Sequence, residues 1–386
     1  MQFKDVIGQE AAKERLIQAA KQDRVPQALL FLGKEGTGSL PLGLAFAQYL
    51  NCENPGETDS CGVCNACKKS AKLAHPDMHF CFPVIKKKNQ TDPPISDDWV
   101  KDWREAVLEN PYLNSFQWLQ SIDAENRQGN ITARECHNII HKLNLMAFEG
   151  KYKVQIIWMA ENLGREGNIL LKIIEEPPEN TVFIVIAENR DRILNTILSR
   201  TQVVSLPPIS DEEMTSKLIS EHQMSEEDAR HIALMADGNY LSAQHLAMHD
   251  ADENAELFLA WFKTTINLAL TNRSSLLPAL SDSVNQFGGI GRENQKTFCE
   301  YGLFFTREVL AEMTGLEARL EGEAGAIAKK AAKVLNANAL AKFSEVLNNL
   351  HYFIERNGNA KIQMMDASLK ARKALAGQET EVVVNL

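Results

Sequence analysis

Apolar positions fall into two regimes along the chain. Up to about residue 206, short apolar runs alternate with longer amphipathic stretches. Ala28–Gly33 is a compact apolar run that stops at glycine. Lys153–Ala160 and Thr181–Ala187 are rich in Val, Ile and aromatics. All three predict buried strands, and Gln202–Leu206 predicts a short final one. Leu40–Leu50 predicts a helix. Glu161–Glu176 has helical apolar spacing and is stopped by Pro177 and Pro178. Strands this uniformly apolar, separated by helices, imply a parallel sheet covered on both faces. Beyond Pro208 the strand signal vanishes. Ser210 and Ser225 each precede a run of acids, a helix-start signature. From about Asp250 to Gly377 the pattern is almost entirely helical, with no internal repeat. The expected outline is an α/β domain over residues 1–206, a short helical domain over 207–248 and a larger helical domain over 249–386.

One stretch breaks the rhythm. Residues 86–127 hold Lys86, Lys87 and Lys88, a proline pair and three tryptophans, Trp99, Trp103 and Trp118. This reads as an insertion with some helical content; the bland alternative is a solvated loop anchored by a few aromatics. DNA contact through the three lysines is a weaker alternative.

Bulk composition narrows the class. Hydrophobic residues at 44% and charged ones at 24% are ordinary for a soluble globular protein, and 386 residues exceed one ordinary core. No apolar run reaches the ~18 residues of a membrane span, and the first thirty residues carry no secretory-type apolar segment. A cytoplasmic protein is expected, so its seven cysteines are not read as a disulfide framework. The net charge of -10 argues against a chain that grips DNA alone through a broad basic surface.

The first candidate chemistry follows the first strand. A working phosphate loop reads G-x-x-x-x-G-K-[ST]. Here Gly33-Lys34-Glu35-Gly36-Thr37-Gly38-Ser39-Leu40 keeps the glycines where the backbone must bend. Ser39 replaces the lysine that reaches the phosphates, and Leu40 replaces the hydroxyl that holds Mg²⁺. Tight ATP binding and hydrolysis are therefore not expected. Two readings stay open: a bare glycine turn, or residual anion or nucleotide binding. The strand ending in Trp158-Met159-Ala160-Glu161 lacks the usual acidic pair, and Glu161 also suits the start of the next helix.

The second candidate is Cys52, Cys61, Cys64 and Cys67, spaced C-x8-C-x2-C-x2-C. Four thiolates this close suit one tetrahedral structural Zn²⁺ with no open coordination position. A redox pair or unrelated thiols are the alternatives. His75, His79 and Cys81 lie nearby as ordinary residues, with a ligand swap left open. Cys136 and Cys299 read as core thiols.

Several segments then match a family. Phe3–Leu16, the four-cysteine module, Ala74–Asp77 (AHPD), Asn168–Ala187 with its EEPP run, and Ile193–Arg200 resemble the bacterial DNA polymerase III clamp-loader family. The resemblance covers most of residues 1–206. It implies an AAA+-type P-loop α/β domain with a zinc module, a helical lid and an all-α collar for oligomerisation. Catalytic members keep an intact phosphate loop, an acidic strand end and two polar sensors. This chain has Ser39 and Leu40, Trp158, Ala187 and Leu241 at those places. The losses point to the non-hydrolysing, delta-prime type of subunit: not an enzyme alone, but part of an assembly whose clamp loader is an ATPase. The family's Ser-Arg-Cys motif appears as Ser199-Arg200-Thr201. By resemblance, Arg200 reaches the γ-phosphate held by a neighbour; by itself, it would be read as a helix-end arginine capping carbonyls. Implied partners are gamma/tau-type motor subunits and a delta-type subunit in a hetero-oligomeric ring, with the sliding clamp and DNA met through the assembly. The rival readings are an ATP-hydrolysing motor subunit, another AAA+ replication factor such as a helicase loader, and a zinc-containing DNA-binding module.

Overall fold

The structure, a computed structural model, describes residues 1–377 apart from 89, 125–126, 249–250, 317–318, 321 and 357. The chain divides into two compact units, Met1–Gln244 and His245–Leu386.

The first unit is built on a parallel sheet. In chain order it contains α1 (Glu10–Lys21), β1 (Ala28–Leu32), α2 (Ser39–Leu50), α3 (Asn65–Ala71), β2 (Met78–Cys81), α4 (Val100–Glu109), α5 (Ser115–Ser121) and α6 (Ala133–Leu143). There follow β3 (Lys153–Ile157), a 3-10 segment (Ala160–Leu170), α7 (Leu171–Glu175), β4 (Thr181–Ala187), α8 (Asn195–Leu198) and β5 (Gln202–Ser205). The strands lie in the order β2-β3-β4-β1-β5, all parallel. Strand alternation sends Val182, Ile184 and Ile186 of β4 to one face, in a core shared with Leu29, Phe31, Phe46 and Trp103. Phe183, Val185 and Ala187 go to the other, with Leu30, Ile139, Leu170 and Ile174. Both faces of the sheet are buried, which is why its strands read as unbroken apolar runs.

Two differences from the sequence reading have local causes. Glu161–Glu176 is not one helix, because Gly164 takes φ 49° and ψ -141° inside it, leaving 3-10 turns and then α7. The insertion has the helical content expected of it but is not a solvated loop: it forms α4 and α5, and Trp103 and Trp118 are wholly buried. Trp103 stacks on Phe82 with ring centroids 4.7 Å apart, and Trp118 donates its indole N–H to the Pro83 carbonyl at 2.7 Å. Lys86 donates to the Thr91 carbonyl, and Lys87 lies over the Trp99 ring.

After β5 the first unit adds α9 (Asp211–His222), α10 (Glu226–Ala236) and the first turn of α11 (Tyr240–Met248). Ser210 and Ser225 cap α9 and α10, each accepting an N–H three residues on.

The second unit packs α12 (Ala251–Thr271), α13 (Leu277–Gly289), α14 (Arg292–Thr314), α15 (Gly322–Val334), α16 (Ala337–Glu355) and α17 (Ala360–Leu375). Its core is aromatic. Phe258, Phe262 and Phe305 pack against one another, and Trp261 stacks on Phe343 and donates to Ser368 Oγ at 2.9 Å. Gly302 on α14 lets the Phe258 ring approach; a methyl there would lie 2.5 Å from it. Among the described residues, no helix is long and apolar enough to cross a membrane.

Candidate functional site: a filled phosphate loop, an arginine and four thiols

The carboxyl ends of β1, β3 and β4 meet at one edge of the sheet, where open parallel α/β sheets place their ligands. The loop from Gly33 to Gly38 leaves β1 there and enters α2 through Gly38, which adopts φ 91°. Gly33 N–H donates to the Ala187 carbonyl at 3.2 Å, tying the loop to β4. Ser39 is buried, and its Oγ lies 3.4 Å from Thr37 Oγ1, which itself donates to the Lys34 carbonyl at 2.7 Å. Lys34 is exposed.

Other parts of the first unit occupy the space above the loop. Gly36 accepts the Tyr240 N–H at 3.2 Å through its carbonyl. A methyl group on Gly36 would lie 1.8 Å from Asn239 Oδ1. One on Gly38 would lie 3.2 Å from the Tyr112 ring. Glu35 accepts from Asn114 Nδ2 at 3.0 Å and from Asn239 Nδ2 at 3.4 Å, and Gln9 Nε2 donates to the Thr37 carbonyl at 3.1 Å. What remains is a cavity of about 30 Å³, bordered by the loop, Tyr112, Trp158 and Ala187.

The end of β3 is apolar and buried. Trp158 follows β3, is buried, and lies 6.5 Å from the Trp103 ring of the insertion. Glu161 accepts from the backbone N–H groups of Glu188 and Asn189 at 2.5 and 2.8 Å. Its carboxylate caps the end of β4. Ala187 and Leu241 are both buried.

Ser199 and Arg200 sit between α8 and β5, outside the residues that border the cavity. Arg200 Nε donates to Glu175 Oε1 at 2.5 Å. Its Nη1 donates to the Thr196 carbonyl at 2.9 Å and to Ser199 Oγ at 3.2 Å. The capping role open to a helix-end arginine is therefore present, together with an ion pair. Thr201 donates to the Ile197 carbonyl.

The four cysteines converge. Their sulfurs all lie within 4.8 Å of one another, and Cys61 Sγ is 3.9 Å from Cys67 Sγ. Sulfurs around a tetrahedral Zn²⁺ at ~2.3 Å are about 3.8 Å apart, so the donor set fits such an ion. Backbone N–H groups point at the sulfurs: Cys61 N to Cys52, Cys64 N to Cys61 and Cys67 N to Cys64, at 3.2 to 3.4 Å. Those of Val63 and Cys64 hold the Cys61 thiol down to about 6, while burial pushes Cys52 and Cys67 up. Asp59 anchors the module by accepting from Phe3 N and Lys4 N at 3.0 Å. His75, His79 and Cys81 are outside this cluster.

Tyr112, Asn114, Glu35, Asn239 and Glu175 all shape these sites, yet local sequence patterns do not single them out. Glu35 lies within the glycine loop and Glu175 within the EEPP run, but neither position is marked by its motif as a contact.

The family model described as DNA polymerase III, delta subunit, matches residues 8–210. That is more than half of the chain. The chain belongs to this DNA polymerase III subunit family. Among its relatives, DNA polymerase III subunit tau of Bacillus subtilis (strain 168) is 26% identical over 384 residues, covering 93% of this chain and 59% of that protein. Subunit delta' of the same organism is 28% identical over 238 residues, covering 61% of this chain and 58% of that protein. This family member thus spans a little under three-fifths of the length of either relative. A DNA polymerase III gamma subunit-related protein of Thermotoga maritima is similar at 13% identity and a TM-score of 0.39, covering 95% of this chain and 100% of that one. Relatives named tau and delta' match with nearly equal identity, so the choice between subunit types turns on the residues of the site.

Proposed function

We propose that this family member is a non-hydrolysing, delta-prime-type subunit of a cytoplasmic sliding-clamp loader in DNA replication. The observation that carries the reading is the phosphate loop. It lacks the lysine and the Mg²⁺ hydroxyl, and its space is taken by the chain's own side chains. Phosphoryl transfer depends on positioning and on charge neutralisation by lysine and metal, and this loop supplies neither. The α/β unit is then an AAA+-type domain that keeps its scaffold role, with residues 207–248 as lid and 249–386 as collar.

Arg200 is its contribution to chemistry. It lies partly exposed beside Ser199, with Glu175 orienting its guanidinium. Presented to a neighbouring gamma/tau-type subunit, it would stabilise charge spreading over the transferred phosphoryl oxygens. Trans arginines of this kind contribute ~10³–10⁵ in rate. The four thiolates of Cys52, Cys61, Cys64 and Cys67 would hold a structural Zn²⁺ that fixes the α2–α3 connection. A delta-type subunit, the sliding clamp and DNA would be met through the ring.

The match to tau over nearly the whole chain favours a second reading, an ATP-hydrolysing motor subunit. The two separate in one experiment. Motor subunits are combined with this chain in native form or with Arg200→Ala, and steady-state ATPase is measured. Loss of ATPase in the assembly, with the isolated chain inactive in both forms, supports the proposal. ATPase by the isolated native chain would support the motor reading.

A further inference from the structure

The insertion supplies more than a scaffold. Between α4 and α5, residues Asn110–Asn114 cross the mouth of the phosphate loop. Tyr112 is buried, and its hydroxyl accepts the Ile7 N–H at 2.9 Å. Its ring meets Gly38 on one side and packs edge-on to Tyr240, centroids 4.8 Å apart, on the other. Asn114 Nδ2 holds Glu35, and Asn110 Nδ2 donates to Gln244 Oε1 at 3.1 Å. The segment is itself braced: Asn110 Oδ1 accepts the Tyr112 N–H at 3.0 Å, and Asn114 caps α5 by accepting from Gln117 N at 2.8 Å. The buried rings of Trp103 and Trp118 fix the helices on either side.

A strand–glycine loop–helix unit gathers N–H groups that favour an anion. An occupant of such a loop also links the sheet to whatever packs above it. We propose that residues 110–114 are a built-in occupant of this loop: Tyr112 and Asn114 exclude nucleotide and replace it as the bridge from the loop to the start of α11. The inference rests on the proposed inactive nucleotide site but not on the role of Arg200. It makes the exclusion steric as well as chemical, so restoring the missing loop residues would not by itself restore binding.

The test compares full-length Ser39→Lys/Leu40→Thr with the same pair plus Tyr112→Gly. Binding of a fluorescent ATP analogue with Mg²⁺ is followed by anisotropy, with circular dichroism as the check on folding. The expected result is no saturable binding by the double variant and at least about tenfold tighter binding by the triple variant. Equal binding by both would overturn the proposal, and so would absence of binding in both, because the obstruction would then lie elsewhere. Should the triple variant not fold, amide exchange in Tyr112→Phe decides. Faster exchange at Ile7 and across Gly36–Ser39 is expected, and unchanged exchange at both would overturn the proposal. Binding of the analogue by the native chain would instead contradict the inactive-site reading, a separate failure.

Discussion

Arg200 and Glu175 form an ion pair at 2.5 Å between the turn that joins α8 to β5 and the end of α7. Both side chains are partly exposed, and such pairs contribute only about 0–1 kcal/mol to stability. The consequence of the pair is therefore orientation. Glu175→Ala is expected to leave the urea unfolding midpoint nearly unchanged. In a reconstituted assembly it should lower turnover by less than about tenfold, against about 10³ or more for Arg200→Ala. Equal losses in the two variants would make Glu175 a direct participant.

Trp103 joins the insertion to the sheet. It is wholly buried, stacked on Phe82 and close to Trp158. Trp103→Ala should cost about 3–5 kcal/mol in a urea titration. A loss below about 1 kcal/mol would restore the picture of a solvated loop.

Glu135, in the first turn of α6, accepts the Ser96 N–H at 2.5 Å through one oxygen, while the other is buried with no hydrogen-bond partner among the described residues. Burial pushes its carboxyl up to about 7, with the Ser96 N–H opposing. A carboxyl raised in the folded state favours folding while protonated. That contribution is full below the ordinary carboxylate range and is lost as pH rises from about 4.5 through about 7. The span corresponds to about 3 kcal/mol. Glu135→Gln should therefore stabilise the chain by about 2–3 kcal/mol at about pH 8 and by much less at about pH 4. Equal effects at both would contradict the assignment.

The thiol cluster carries a metal prediction. Metal analysis of the purified chain should find about one zinc per chain. Cys67→Ser, which removes a buried thiol of the cluster, should lose the metal and lower Tm. Full thermal stability without zinc would leave the four cysteines as a thiol cluster alone.

The sequence was most legible where a signal is local. β4 is seven residues of Val, Ile, Phe, Thr and Ala, every one buried, and it announces itself. The C-x2-C spacing likewise brings sulfurs together through short turns. β2 escaped notice because Met78–Cys81 is only four residues long and includes a histidine; its place is set by pairing with β3. The Glu161–Glu176 helix failed at Gly164, since apolar spacing alone does not reveal a backbone break. Tyr112 was illegible for a different reason. Its partners Ile7, Gly38 and Tyr240 are far away in the chain, and no periodicity marks a contact of that range. The same holds for Asp77 of the AHPD segment, which accepts three N–H bonds from Phe148, Glu149 and Gly150.

The proposed division of labour, a chain without a working nucleotide loop lending one guanidinium to its neighbour, can be seen in a cryo-electron microscopy structure of the assembled ring with a non-hydrolysable ATP analogue. The Arg200 guanidinium is expected within hydrogen-bond distance, about 3 Å, of the γ-phosphate held by the adjacent subunit, with no nucleotide at Gly33–Ser39. Arg200 still paired to Glu175 and remote from every triphosphate, or nucleotide seated on this chain's own loop, would contradict it.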